Sequence, residues 1–280
     1  MRYYHVYTKG LEDSMIYRSH DDYVAGMNLL AVTHFKSGVT LLAFVLMSNH
    51  FHFVLYGSKE VALKFINLYK KLISRYIMNK YGESAFLRRV LTSCDEISLA
   101  DEGVKKVIAY VLDNPVKAGI CSLPYMYKWS SISCYYNSSS VDLMSSEIPG
   151  RRRMRRILHS NIDLPSEYKF NTGGYIDPMS YVDSRMVERI FVRAKSFEYF
   201  LSTTASSRQS RKDVIVFSDS LMVNVLDELL KNKYCSVIEL MDETMKRSLL
   251  LDLRKYFNAS SKQLARITGL PLKTVLTLLQ

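Results

Sequence analysis

Two histidines one residue apart, His50 and His52, stand among aromatic and aliphatic residues in a stretch that reads as a strand. The side-chain period of two places both imidazoles on one sheet face, where they can share a divalent metal ion. A histidine pair leaves coordination positions open for water and phosphate oxygens, as a catalytic centre requires. Farther along, Tyr110 precedes Asn114 by one helical turn. If the segment is helical, phenol and amide project from the same side, and a metal-bound scissile phosphate fits between them. Tyrosine is a weak nucleophile at its ordinary pKa of about 10, so a cation that polarises the phosphate assists its attack. Each pair also has a plainer reading. His50 and His52 can be two half-exposed sheet residues, and Tyr110 and Asn114 a helix tyrosine followed by a stop before Pro115.

The elements that must position these groups follow from patterning. Tyr3–Thr8 alternates as a strand before Lys9 and Gly10. Ser19 with Asp22 makes a capping box for a helix stopping near Ser37 and Gly38. Val39–Leu46 and Phe51–Leu55 read as two strands joined at Ser48 and Asn49. Glu60–Lys80 is an amphipathic helix with Val61, Phe65, Leu68, Leu72 and Tyr76 inward and Lys64, Lys71 and Arg75 outward. Phe86–Leu91 predicts a further strand carrying Arg88 and Arg89, and Ser98 with Asp101 opens a helix that runs to about Asp113 and must end or kink at Pro115. The order predicts an α+β fold, an antiparallel sheet with helices packed on one face, over residues 1–136. Residues 137–212 read as a linker with a helical extension. It is serine-rich at first, and arginine then takes five of the six positions Arg151–Arg156, Arg151, Arg152 and Arg153 among them. Residues 213–280 read as a mainly helical region.

Three segments taken together carry a family resemblance. Met47-Ser-Asn-His50-Phe-His52-Phe-Val-Leu, Tyr110-Val-Leu-Asp-Asn114-Pro115-Val-Lys-Ala-Gly119 and Tyr127-Lys-Trp129-Ser-Ser resemble the single-tyrosine transposases with a histidine-hydrophobic-histidine motif. The nearest branch is that of the REP-associated tyrosine transposases. Tyr4-His-Val-Tyr-Thr-Lys-Gly10 is similar to that family's first strand and turn, although Lys9 stands where many relatives carry arginine. The resemblance spans roughly residues 1–136 and implies a ferredoxin-like sheet. It implies that His50, His52 and Asn114 bind Mg2+ or Mn2+, and that Tyr110 attacks DNA to form a 5′-phosphotyrosine with a free 3′-hydroxyl. The implied substrate is single-stranded DNA beside a hairpin, and the implied setting is the bacterial cytoplasm, near the nucleoid, as monomer or homodimer. Gly174–Tyr181 resembles an extra C-terminal region of some family members, with no chemistry attached.

Composition agrees with a polyanionic partner. The formal charge is +11, from 38 Lys and Arg against 27 Asp and Glu, and such an excess gains affinity by releasing counterions from phosphates. Lys9, Lys64, Lys71, Arg75, Arg88, Arg89 and Lys117 are candidates to line a DNA groove, with Tyr125, Tyr127 and Trp129 as candidates for base stacking. No apolar run approaches the roughly 20 residues that span a bilayer, and the polar start is no secretion signal, so no membrane is expected. Cys94, Cys121, Cys134 and Cys235 lack CxxC spacing and read as reduced thiols. Near the end, Ala265, Gly269 and Val275 have helix-turn-helix spacing, and the second helix would offer Lys273 and Thr274 to a duplex major groove. Two other functions stay open: a non-catalytic DNA-binding regulator acting through that C-terminal motif, and a phosphohydrolase that activates water and has no need of Tyr110.

Overall fold

A computed structural model describes residues 1–9, 11, 14–82, 87, 90–136, 151–206 and 217–280. Its first half is built around a four-stranded antiparallel sheet. Strand β1 (Arg2–Thr8) leads to helix α1 (His20–Ser37), then β2 (Thr40–Met47), β3 (His50–Gly57), α2 (Lys59–Tyr81) and β4 (Thr92–Glu96), with sheet order β2-β3-β1-β4. Local chemistry sets the boundaries. Ser19 and Asp22 form the expected capping box, and α1 ends at Gly38, whose φ of 66° suits a residue without a Cβ.

β2 and β3 are buried along nearly their whole length, so the sheet is covered on both sides. On one side Phe51 and Phe53 pack edge-on against Tyr69 and Phe65 of α2, at 5.0 and 5.1 Å between ring centroids. On the other side lies α3 (Gly103–Leu112), with Tyr110 edge-on to His52. This corrects the expectation of helices on one face only. The cause is visible in Leu41–Leu46, a run with no polar alternation, which is how a strand buried on both faces reads. The outer edge of β2 is covered too: Leu46 N donates to Trp129 O (2.9 Å), Ser131 N to Phe44 O (3.1 Å) and Asp183 N to Leu41 O (2.9 Å).

The fourth strand is not where the sequence suggested. Of the expected Phe86–Leu91, residues Phe86, Arg88 and Arg89 lie outside the described residues, while Leu87 and Val90 are buried without strand pairing. The strand comes later, in the polar Thr92–Glu96, because its pairing with β1 and not its own hydrophobicity makes it one. Likewise α3 starts at Gly103: Ser98 accepts from Ala100 N and does not cap the helix, and Asp101 and Glu102 take positive φ of 51° and 57°. Pro115 falls in the first turn of a separate short helix, α4 (Asn114–Lys117).

One hydrophobic cluster runs from Tyr4 to Leu201 and takes in Leu158, Ile176, Tyr181, Val187, Phe191 and Phe197 from residues 151–206. That segment carries α5 (Arg151–Ile157), α6 (Ser184–Phe191) and α7 (Ala194–Ser206). A second cluster joins α8 (Asp219–Leu229), α9 (Glu243–Phe257), α10 (Ser261–Thr268) and α11 (Leu272–Leu278), and it includes Met15 from the loop after β1. All four cysteines are free thiols. No helix among the described residues is long and apolar enough to cross a membrane.

Candidate active site

β3 carries His50 and His52 on the same face, with ring centroids 5.0 Å apart and planes nearly perpendicular. Each imidazole is held through Nδ1. His50 Nδ1 lies 2.8 Å from Asn49 Oδ1, and the Asn49 amide is itself oriented, because its Nδ2 donates to Leu11 O at 2.6 Å. A carbonyl oxygen only accepts, so His50 carries its proton on Nδ1 and offers the Nε2 lone pair. His52 Nδ1 lies 3.0 Å from His5 Nε2 on the neighbouring strand. If His52 also coordinates through Nε2, then its Nδ1–H donates to His5, the kind of outer partner that orients a metal-binding histidine.

All three rings are neutral over the ordinary pH range. Burial is the main cause in each case. It lowers His5 to about 4, against a weaker upward pull from Asp95. It lowers His50 to about 4, opposed by a hydrogen bond that the protonated ring would donate to Asn114. It lowers His52 to about 2, with His50, His5 and Lys117 adding to the effect. Only a neutral imidazole can ligate a metal, so burial leaves these rings in the form that could bind one.

Tyr110 projects from α3 onto this cluster. Its ring is edge-on to His52 and to His5, at 5.9 Å between centroids in each case, and it keeps 41% of its surface exposed. Lys117 Nζ stands 3.8 Å from the centre of the Tyr110 ring. Asn114 is buried, and its Nδ2 donates to Tyr110 O (2.9 Å) and Val111 O (3.3 Å), which turns its amide oxygen away from those carbonyls. His50, His52, Tyr110, Asn114 and Lys117, drawn from separate stretches of the chain, therefore meet at one place on the sheet.

The donor set would suit a divalent cation. Two neutral imidazoles and one amide oxygen are compatible with a hard or borderline divalent ion that keeps several open positions. Among the described residues no group of three or more His, Cys, Asp or Glu side chains is placed to hold a metal ion. No family model, curated protein or solved structure matches this chain.

The other sequence candidates disperse. Lys64, Lys71 and Arg75 are exposed on the outer side of α2, and the sheet separates them from Tyr110, so they do not line the same groove. Arg88 and Arg89 lie outside the described residues. Lys9 is exposed at the end of β1. Arg151, Arg152 and Arg153 are exposed on α5, whose end packs beside α1 through the bond from Asn28 Nδ2 to Ile157 O. Lys273 and Thr274 are exposed on α11. Trp129 and Tyr127 are packing residues and not stacking platforms: Trp129 stacks on Tyr23 at 4.8 Å, and the Tyr127 hydroxyl donates to Leu46 O. Tyr125 is exposed and hydrogen-bonded to Glu198. The sequence reading missed His5 and gave Asn49 only a turn role. The period of two already puts His5 and Tyr7 on one face of β1, but only the β1–β3 register shows that this face meets His52.

Proposed function

We propose that this protein is a metal-dependent single-strand DNA endonuclease and strand transferase of the tyrosine transposase kind. The observation that carries the reading is the meeting of an exposed tyrosine with His52, whose ring adjoins that of His50 and whose Nδ1, like that of His50, is already engaged. The order β1-α1-β2-β3-α2-β4 and the sheet order β2-β3-β1-β4 are compatible with a ferredoxin-like unit, which supports the family resemblance of the three motifs. A bound Mg2+ or Mn2+ supplies polarisation of the scissile phosphate. His50 and His52 would hold it, with the Asn114 amide oxygen as third protein ligand, and the Tyr110 oxygen would attack phosphorus, its proton passing to the departing 3′-oxygen. The products are a 5′-phosphotyrosine and a strand ending in a 3′-hydroxyl. Lys117 brings a positive charge to the nucleophile, where negative charge gathers as phosphate approaches.

Within this reading α10 and α11 form a helix-turn-helix that offers Lys273 and Thr274 to duplex DNA, such as a hairpin stem. Gly269 is in the left-handed region the tight turn needs (φ 70°), and Val275 is buried between the helices.

The test is incubation of the protein and Mn2+ with a labelled single-stranded oligonucleotide carrying a hairpin, followed by denaturing electrophoresis. A covalent protein–DNA adduct is expected, and Tyr110→Phe should abolish it. Undiminished cleavage by that variant would favour activated water instead, and absence of cutting on every hairpin tried would favour a DNA-binding regulator.

A further inference from the structure

The turn that carries His50 is held from two directions. The loop after β1 holds its backbone: Ile16 N and Tyr17 N donate to Ser48 O at 2.6 and 3.0 Å, and Leu11 N donates to Asn49 O at 3.2 Å. The second hold comes from far along the chain. Ser48 Oγ donates to Asp219 Oδ2 at 2.6 Å, and Asp219, in the first turn of α8, is only 5% exposed. Both of its oxygens are also met by Arg266 of α10, Nε to Oδ2 at 2.9 Å and Nη2 to Oδ1 at 3.2 Å.

A pair this enclosed is not explained by stability alone. Withdrawing a carboxylate and a guanidinium from water costs much of what their attraction returns, and apolar residues of similar size would dock the helices as well. What a bidentate ion pair adds is direction. Here it fixes the oxygen that receives the Ser48 hydroxyl, at the residue before Asn49, whose amide in turn sets the tautomer of His50.

We propose that Asp219 and Arg266 are positioning residues for the metal site: through Ser48 they lock the Ser48–Asn49 turn so that His50 presents Nε2 to the cation. The helical segment 217–280 is then part of the catalytic apparatus and not only an appended binding module. This inference rests on the metal-dependent reading above.

The experiment uses the full chain and two measurements. Amide hydrogen exchange on peptides spanning 46–53 reads the turn, and Mn2+ titration followed by electron paramagnetic resonance reads the site. Ser48→Ala removes one hydroxyl and leaves the ion pair intact, so it is the principal variant; Asp219→Ala is the second. Ser48→Ala should speed exchange at the turn and weaken Mn2+ binding, each by about tenfold, the scale of lost outer-sphere support, with β1 peptides unchanged. Adding Asp219→Ala to Ser48→Ala should change the turn little further, because one relay is already broken. The proposal is overturned if either measurement stays within about twofold of the parent, or if β1 exchange rises in step with the turn and so reports general loosening. Should the parent protein bind no Mn2+ at all, the metal-dependent function itself falls, while exchange still tells whether the lock on the turn exists.

Discussion

Along β3, successive residues lead two different lives. Phe51 and Phe53 face α2 and join a stack of aromatic rings, with no polar atom of their own to satisfy. His50 and His52 face the opposite way, are also largely enclosed, and spend a hydrogen bond each on holding one ring nitrogen. The aromatic face contributes stability through burial. The imidazole face holds neutral, oriented bases where water would otherwise protonate and rotate them. One strand thus supplies both the anchor and the oriented imidazoles, and the rigidity of the first keeps the second in register.

Three measurements would break or sharpen this contrast. Phe53→Ala should cost about 3–5 kcal/mol of stability, the loss of a large buried ring, read as a lower urea midpoint. A loss under about 1 kcal/mol would mean that the aromatic face does not anchor the sheet.

Acid should act through the other face. In metal-free protein His5 and His50 stay neutral down to about pH 4, and His52 to about pH 2, whereas in the unfolded chain all three take up protons below their ordinary value of 6.5. Unfolding therefore consumes protons in this window. Stability is full above about pH 6.5 and declines as pH falls toward 4, by at most about 1.4 kcal/mol per pH unit for each ring. Urea titrations at pH 7, 6 and 5 check it; a flat profile would show that the rings are not held neutral.

The smallest effect concerns orientation. His5→Phe removes the partner of His52 Nδ1 and should weaken Mn2+ binding about 10- to 100-fold while the fold persists. Isothermal titration with Mn2+ reads this directly, and unchanged affinity would reduce His5 to a packing residue.

Much of this arrangement is legible in the chain. The capping box at Ser19, the helix stop at Gly38, the hairpin about Ser48 and Asn49 and the one-face placement of His50 and His52 are local consequences of residue type and spacing. β4 was not legible, since Thr92–Glu96 has no strand pattern and is a strand only because β1 needs a partner. The spread of the lysines was also hidden: Lys64 and Lys71 share a basic helix with the right charge, but that helix lies behind the sheet, and of the basic candidates it is Lys117 that meets Tyr110.

Residue order alone determined which groups were available and which neighbours shared a helix or strand face, because those relations depend only on the periods of 3.6 and 2. Which face met which was decided by the tertiary structure. The pairing of β1 with β3 brought His5 to His52, the packing of α3 brought Tyr110 to both, and the docking of α8 and α10 brought Asp219 to Ser48 and Arg266 to Asp219. Those contacts join positions up to 171 residues apart, and they arise from burying shared apolar surface, a condition no local pattern encodes.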